Sequence, residues 1–160
     1  MKINILIDKI LSRDEVEIKV CPENVNLGHD LENYIRQISK LTVINTKNDS
    51  KIKVNINDIL KFQSEGNMCC VKMKSKEFYL INKRLKEIEG LNYKNFVKIN
   101  NQTIINLYEV KEFSSAPNAR LEVILSDGSF HFVNRHYVKI IKERLLWLNN
   151  LNHLFFKHFH

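Results

Sequence analysis

The sequence predicts a mainly β protein of the α+β class, with short helices set among short antiparallel strands. Three observations predict it. Apolar and polar residues alternate in brief segments rather than recurring at helical spacing. Turn-forming triplets, Glu65-Gly66-Asn67 and Ser126-Asp127-Gly128, separate such segments at hairpin spacing. Helical spacing of apolar residues is confined to a few stretches.

From the N-terminus, KINILI (residues 2–7) and EVEIKV (residues 15–20) read as strands. In LGHDLENYIRQISKL, Leu31, Ile35 and Ile38 recur at helical spacing. Asp30, after Gly28, is placed to cap that helix or to supply a first-turn acid. TVINT reads as another strand, so residues 1–46 form a small β-β-α-β unit, a candidate for regulation or dimerisation. The polar run KNDSK, residues 47–51, reads as a linker.

Beyond it, KIKVNIN, ILKFQSE, CCVKMKS and EFYLI read as strands. KRLKEIEGLN reads as a short helix, with Leu85, Ile88 and Leu91 at three-residue spacing and Gly90 as its C-cap. NFVKIN, TIIN and LYEVKEF follow as strands, SSAPNA as a loop, and ARLEVIL with SFHFVN as a hairpin. YVKIIKERLLWLNNL is helical, with Val138, Ile141, Leu145 and Leu148 on one face. Residues 52–148 thus form the second unit, and residues 149–160 an aromatic, His-rich tail. Trp147 and the tail's Leu and Phe residues are candidates for core or interface. One segment resists the pattern: three adjacent amides, Asn100, Asn101 and Gln102, interrupt KINNQTIIN. They cannot be buried together without many partners.

Composition narrows the function classes. Hydrophobic content of 44% and charged content of 27% suit a soluble globular chain. No apolar run reaches the roughly 20 residues that span a bilayer, and the N-terminus lacks the features of a signal peptide. A cytoplasmic location is therefore expected. The net charge of +7 is unevenly placed. Residues 1–50 carry 7 Lys+Arg against 8 Asp+Glu, leaving 18 against 10 in residues 51–160. Such asymmetry suits a surface for nucleic acid or anionic lipid. Cys21, Cys69 and Cys70 have no CxxC spacing and read as free thiols. The phosphate-loop, dinucleotide, zinc-protease and nucleophile-elbow patterns are all missing. Of the six histidines, His153, His158 and His160 lie on the tail without a carboxylate or Cys to complete a metal set. An enzyme, a cofactor and a metal site are accordingly not expected.

The segments DILKFQSEGNMCCVKM, FYLINKRLKEIE, FVKINNQTIINLYEVKEF and LEVILSDGSFHFVNRHYVKIIKERL, in that order, resemble the LytTR family of bacterial DNA-binding domains. The likeness covers roughly residues 52–145, and the whole chain is similar to small standalone LytTR regulators with a short N-terminal extension. The resemblance implies a ten-stranded, mainly antiparallel fold. It implies pairs of protomers bound to direct repeats, with loops rather than a recognition helix reaching into successive grooves. A small membrane-protein inhibitor is implied as a further partner.

Three regions carry the contacts in the family. Here they hold Asn67, Met68 and Cys69 in the hairpin beside Gly66; Asn100, Asn101 and Gln102 in a slot usually bearing charge; and Asn134, Arg135 and His136, followed by Tyr137. Arg pairs bidentately with guanine, and Asn or Gln with adenine. Neutral amides in the second slot point to a different or more adenine-rich target. Lys72, Lys74, Lys98 and Lys139 are candidates for phosphate contact. Without the resemblance, the three amides fit a capped turn and Asn134 a helix N-cap. A rival reading is a peripheral membrane or protein-interaction module using the basic domain and the apolar segment LLWLNNLNHLFFKHF.

Overall fold

The computed structural model describes residues 5–8, 10–12 and 15–156, and the side chains of all of these but 147 and 149–156. The expectations for residues 2–4, and for the side chains of Trp147 and most of the tail, lie outside the described residues. In chain order, the first elements are α1 (Val25–Ile38), β1 (Lys40–Asn45), β2 (Lys51–Asn55), β3 (Ile59–Glu65), β4 (Met68–Met73), β5 (Phe78–Ile81) and α2 (Leu85–Gly90). They are followed by β6 (Phe96–Asn100), β7 (Thr103–Asn106), β8 (Val110–Ala116), β9 (Arg120–Leu125), β10 (Phe130–Val133) and α3 (Arg135–Phe156).

The strands form two antiparallel sheets, one of seven in the order β2-β1-β5-β4-β3-β7-β6 and one of three in the order β10-β9-β8. The mainly β fold with few helices is the one the sequence predicts. Alternation decides which face each side chain takes. On β7, every residue is buried, because the strand separates two cores. Ile104 joins a cluster with Phe62, Val71 and Leu85. Its neighbour Ile105 joins a second cluster with Leu121, Val123 and Ile141. The second core lies where the β6–β7 side of the large sheet meets the small sheet and α3. Asn106 is 1% exposed, and its amide donates to the Ile59 carbonyl at 3.0 Å. Its Oδ1 accepts from the Tyr108 amide at 3.1 Å.

Several sequence expectations change. Residues 15–20 join no ladder of the described residues, so the N-terminal portion is not β-β-α-β. α1 begins at Val25, after a 3-10 turn opened by Pro22. Pro fixes the dihedral that starts such a turn, and Asp30 consequently lies inside the helix. Residues 47–51 are not a linker. They make the hairpin turn between β1 and β2, where the Asn45 amide donates to the Ser50 carbonyl at 2.8 Å. Asn, Asp and Ser form turns as readily as linkers, and β1 also pairs with β5, so the first unit is stitched into the large sheet. Gly90 is the last residue of α2, and the left-handed position is taken by Asn92 at φ 54°. LYEVKEF starts with a 3-10 turn, Leu107–Glu109, initiated by the Asn106 side chain. Asn55 does the same ahead of Ile56–Asp58. The loop SSAPNA shrinks to a turn, because β8 runs to Ala116. The backbone of residues 149–156 continues α3.

α1 passes into β1 with only Ser39 between them. The Ser39 amide donates to the Ile35 carbonyl at 3.2 Å, and its carbonyl accepts from the Ile56 amide at 2.8 Å. The junction is thereby tied to the end of β2.

Candidate nucleic-acid interface

Four connections meet at one end of the two sheets. The first is the two-residue turn between β3 and β4, Gly66-Asn67, with Glu65 facing Met68 across it. Gly66 holds φ +61°, a conformation that costs other residues strain and suits the twist of a tight hairpin. The second is the β6–β7 turn, where the Gln102 amide donates to Asn100 Oδ1 at 2.8 Å. This is an Asx turn, in which the side chain stands in for backbone. The third is the passage from β10 into α3, and the fourth the β8–β9 turn at Asn118 and Ala119, both with positive φ.

Hydrogen bonds join the first three connections. The Ser64 amide donates to the Gln102 carbonyl at 2.8 Å, and the Asn134 amide to the Ile99 carbonyl at 2.8 Å. The second of these links the small sheet to the large one. Arg84, just before α2, extends the strip by donating from Nη2 to Asn67 Oδ1 at 3.1 Å. At the other side, Asn118, Arg120, Asn134, Arg135 and His136 line a shallow cleft of about 320 Å3. The Arg120 guanidinium lies 5.9 Å from the Phe132 ring centroid, a cation–π distance that holds it against the small sheet.

The three proposed reading regions thus share one edge. Asn67, Asn101, Gln102, Asn134, Arg135 and His136 are exposed there, with Met68 and Asn100 partly so. Cys69 does not belong. Its side chain is fully buried, and burial pushes its thiol up to about 11. Strand alternation turns it inward between Met68 and Cys70.

The four lysines divide. Lys139 is exposed one turn after Arg135 on α3, on the same side of the helix. Lys98 lies on β6, two residues before Asn100, 3.6 Å from Glu89. Lys72 and Lys74 are far from the edge, toward the opposite strand ends. Lys72 Nζ sits 2.6 Å from Asp127 Oδ2, with both side chains largely buried. Lys74 Nζ is 3.5 Å from Glu109 and 3.7 Å from Asp58. These two lysines hold elements together and are not offered to phosphate. Burial works against the Asp127 charge, but bonds from Lys72 and Ser129 outweigh it and hold the carboxyl well below its usual range. His131, 3.2 Å from Ser129 Oγ, is pushed down to about 4 by burial and by Lys61.

Arg84, Asn118 and Arg120 escaped the sequence reading. The available signal for two of them was the turn former Pro117-Asn118 directly before a basic strand start.

A family model described as the LytTr DNA-binding domain matches residues 49–146. The chain belongs to that family. A solved LytTr DNA-binding domain from Bacillus cereus superposes with a TM-score of 0.59 at 18% identity, covering 68% of this chain and 96% of that one. That likeness shows a shared fold. An uncharacterised HTH-type transcriptional regulator of Staphylococcus aureus strain NCTC 8325 is 26% identical over 91% of this chain and 98% of its own length. A counterpart in strain N315 is 25% identical over the same shares. This coverage exceeds the family span, so the likeness takes in much of the N-terminal portion of this LytTr protein. Among its described residues no α-helix follows another across a turn. None of these helices is long and apolar enough to cross a membrane.

Proposed function

We propose that this chain is a non-enzymatic transcriptional regulator that reads repeated DNA sites through loops in successive grooves, as a pair of protomers. The supporting observation is the single edge on which Asn67, Asn101, Gln102 and Asn134 to His136 converge, bridged backbone to backbone. Amides and a guanidinium are the groups that read adenine and guanine in the major groove. Arg120, Arg135 and Lys139 make no ion pair among the described residues, so their charge is available to DNA. The names of the Staphylococcus aureus relatives, transcriptional regulators, point the same way.

The test is binding of the full chain to duplex DNA from upstream of its own gene, measured by fluorescence anisotropy across a salt series. Specific binding should fall linearly in log–log form, with a slope of about −0.9 per phosphate neutralised. Equal affinity for a scrambled duplex at every salt concentration overturns the proposal.

A further inference from the structure

The N-terminal portion carries a surface that DNA reading does not use. α1 buries none of its residues, although Leu27, Leu31, Tyr34 and Ile38 fall on one side at helical spacing. These four remain 38–61% exposed. Beside the helix runs the extended segment EVEIKV, and Val16, Ile18 and Val20 face a groove of about 500 Å3 that Val25 and Ile35 also line. Gly28 allows the close approach, since a Cβ there would meet Val20 Cγ2 at 3.1 Å. Glu17 and Lys19 occupy the other face of the segment, exposed and 3.3 Å apart. An extended segment outside any ladder is a template for pairing, and monomers rarely leave so much contiguous apolar surface open.

We infer that a second copy of this chain seats on this groove, through antiparallel pairing of EVEIKV with its own symmetry mate. The charges select the register. A two-fold axis through Ile18 sets Ile18 opposite Ile18, Val16 opposite Val20 and Glu17 opposite Lys19. Moving the axis to Glu17 sets Glu17 opposite itself, although Glu15 then faces Lys19, and moving it to Lys19 sets Lys19 opposite itself. The axis through Ile18 leaves no like charges opposite each other, and like charges directly opposite destabilise a strand pair. The interface is isologous. It brings the two α1 helices side by side beneath one ribbon, where the Leu27, Leu31, Tyr34 and Ile38 stripes cover each other.

Sedimentation equilibrium of the full chain, without DNA, tests this independently of the reading edge. The native chain should be a dimer. Glu17→Lys and Lys19→Glu should each raise the dimer Kd by roughly tenfold or more, since each turns both cross-strand pairs repulsive. An equimolar mixture of the two variants should regain near-native pairing, as heterodimers in which every charge again faces its opposite. Loss of the bridge within one chain cannot produce that recovery, and both side chains are exposed, so the fold is undisturbed; circular dichroism checks this. Ile18→Asp should abolish pairing. A native chain that stays monomeric, or single variants that do not recover on mixing, overturns the inference.

Discussion

Arg135 opens α3 with its side chain exposed and with no hydrogen bond or ion pair among the described residues. Arg135→Ala therefore leaves no group behind unsatisfied. As a surface substitution it should change folding stability by no more than about 0.5 kcal/mol, so the effect falls on binding. Loss of a bidentate contact to guanine costs about 1–3 kcal/mol, which is roughly 5- to 150-fold in Kd. A contact to phosphate alone has another signature: uniform weakening across sequences and a salt slope shallower by about 0.9. Arg120 lines the same cleft and stays in place, so residual binding should persist. Anisotropy titrations against the operator, against duplexes changed one base pair at a time, and at several salt concentrations separate these cases. The expected result is a loss of more than about tenfold on the operator, with preference relaxed at one or two positions. Arg135→Lys should keep the salt slope and still lose the preference, because an ammonium cannot form the guanidinium fork. A variant with native affinity and native base preference would refute the reasoning.

Three further outcomes are expected. Asn101→Ala, at an exposed turn position, should shift base preference while moving the unfolding midpoint little; a stability loss with unchanged preference would assign Asn101 a structural role instead. Asn106→Ala removes a buried donor to the Ile59 carbonyl and the acceptor for the Tyr108 amide. Urea unfolding should show about 2–4 kcal/mol lost, and a loss well under 1 kcal/mol contradicts its bridging of β7 and β3. His131 carries a folded pKa of about 4 against 6.5, so the unfolded chain takes up its proton first as pH falls. Stability should then be lost from about pH 6.5 down to about 4, by about 1–2 kcal/mol after solvent screening. His131→Gln should flatten that limb, and superimposable curves for variant and native chain would show that His131 does not drive it.

Local pattern carried much of the fold. The alternation in ILKFQSE and CCVKM, and the turns at Gly66 and Gly128, marked hairpins that the structure contains. What failed depended on partners distant in sequence. EVEIKV has a strand's alternation but no strand beside it among the described residues, while TVINT found two partners, both on the far side of the supposed linker. Lys72 looked like any surface lysine because Asp127, which neutralises it, lies 55 positions on. The phase of Cys69 and Cys70 was ambiguous for a related reason: alternation says they face opposite sides but not which side is core. The candidate edge was legible where turns announced it, at Asn67 and Asn100 to Gln102. Arg120 was hidden because its place in the cleft depends on Asn134 and Arg135 approaching from another strand end.

The joint at Ser39, bonded on one side to α1 and on the other to Ile56, leaves no slack between the helix and the sheet. A pair closed through α1 and the segment before it would act as a rigid calliper. Its two jaws would meet the duplex related by the two-fold axis, so the repeated sites read by such a pair would be inverted half-sites at one fixed separation, in place of the direct repeats that the family resemblance implies. Lengthening the joint by a few glycines would then loosen the preferred half-site spacing while leaving the bases read within each half-site unchanged.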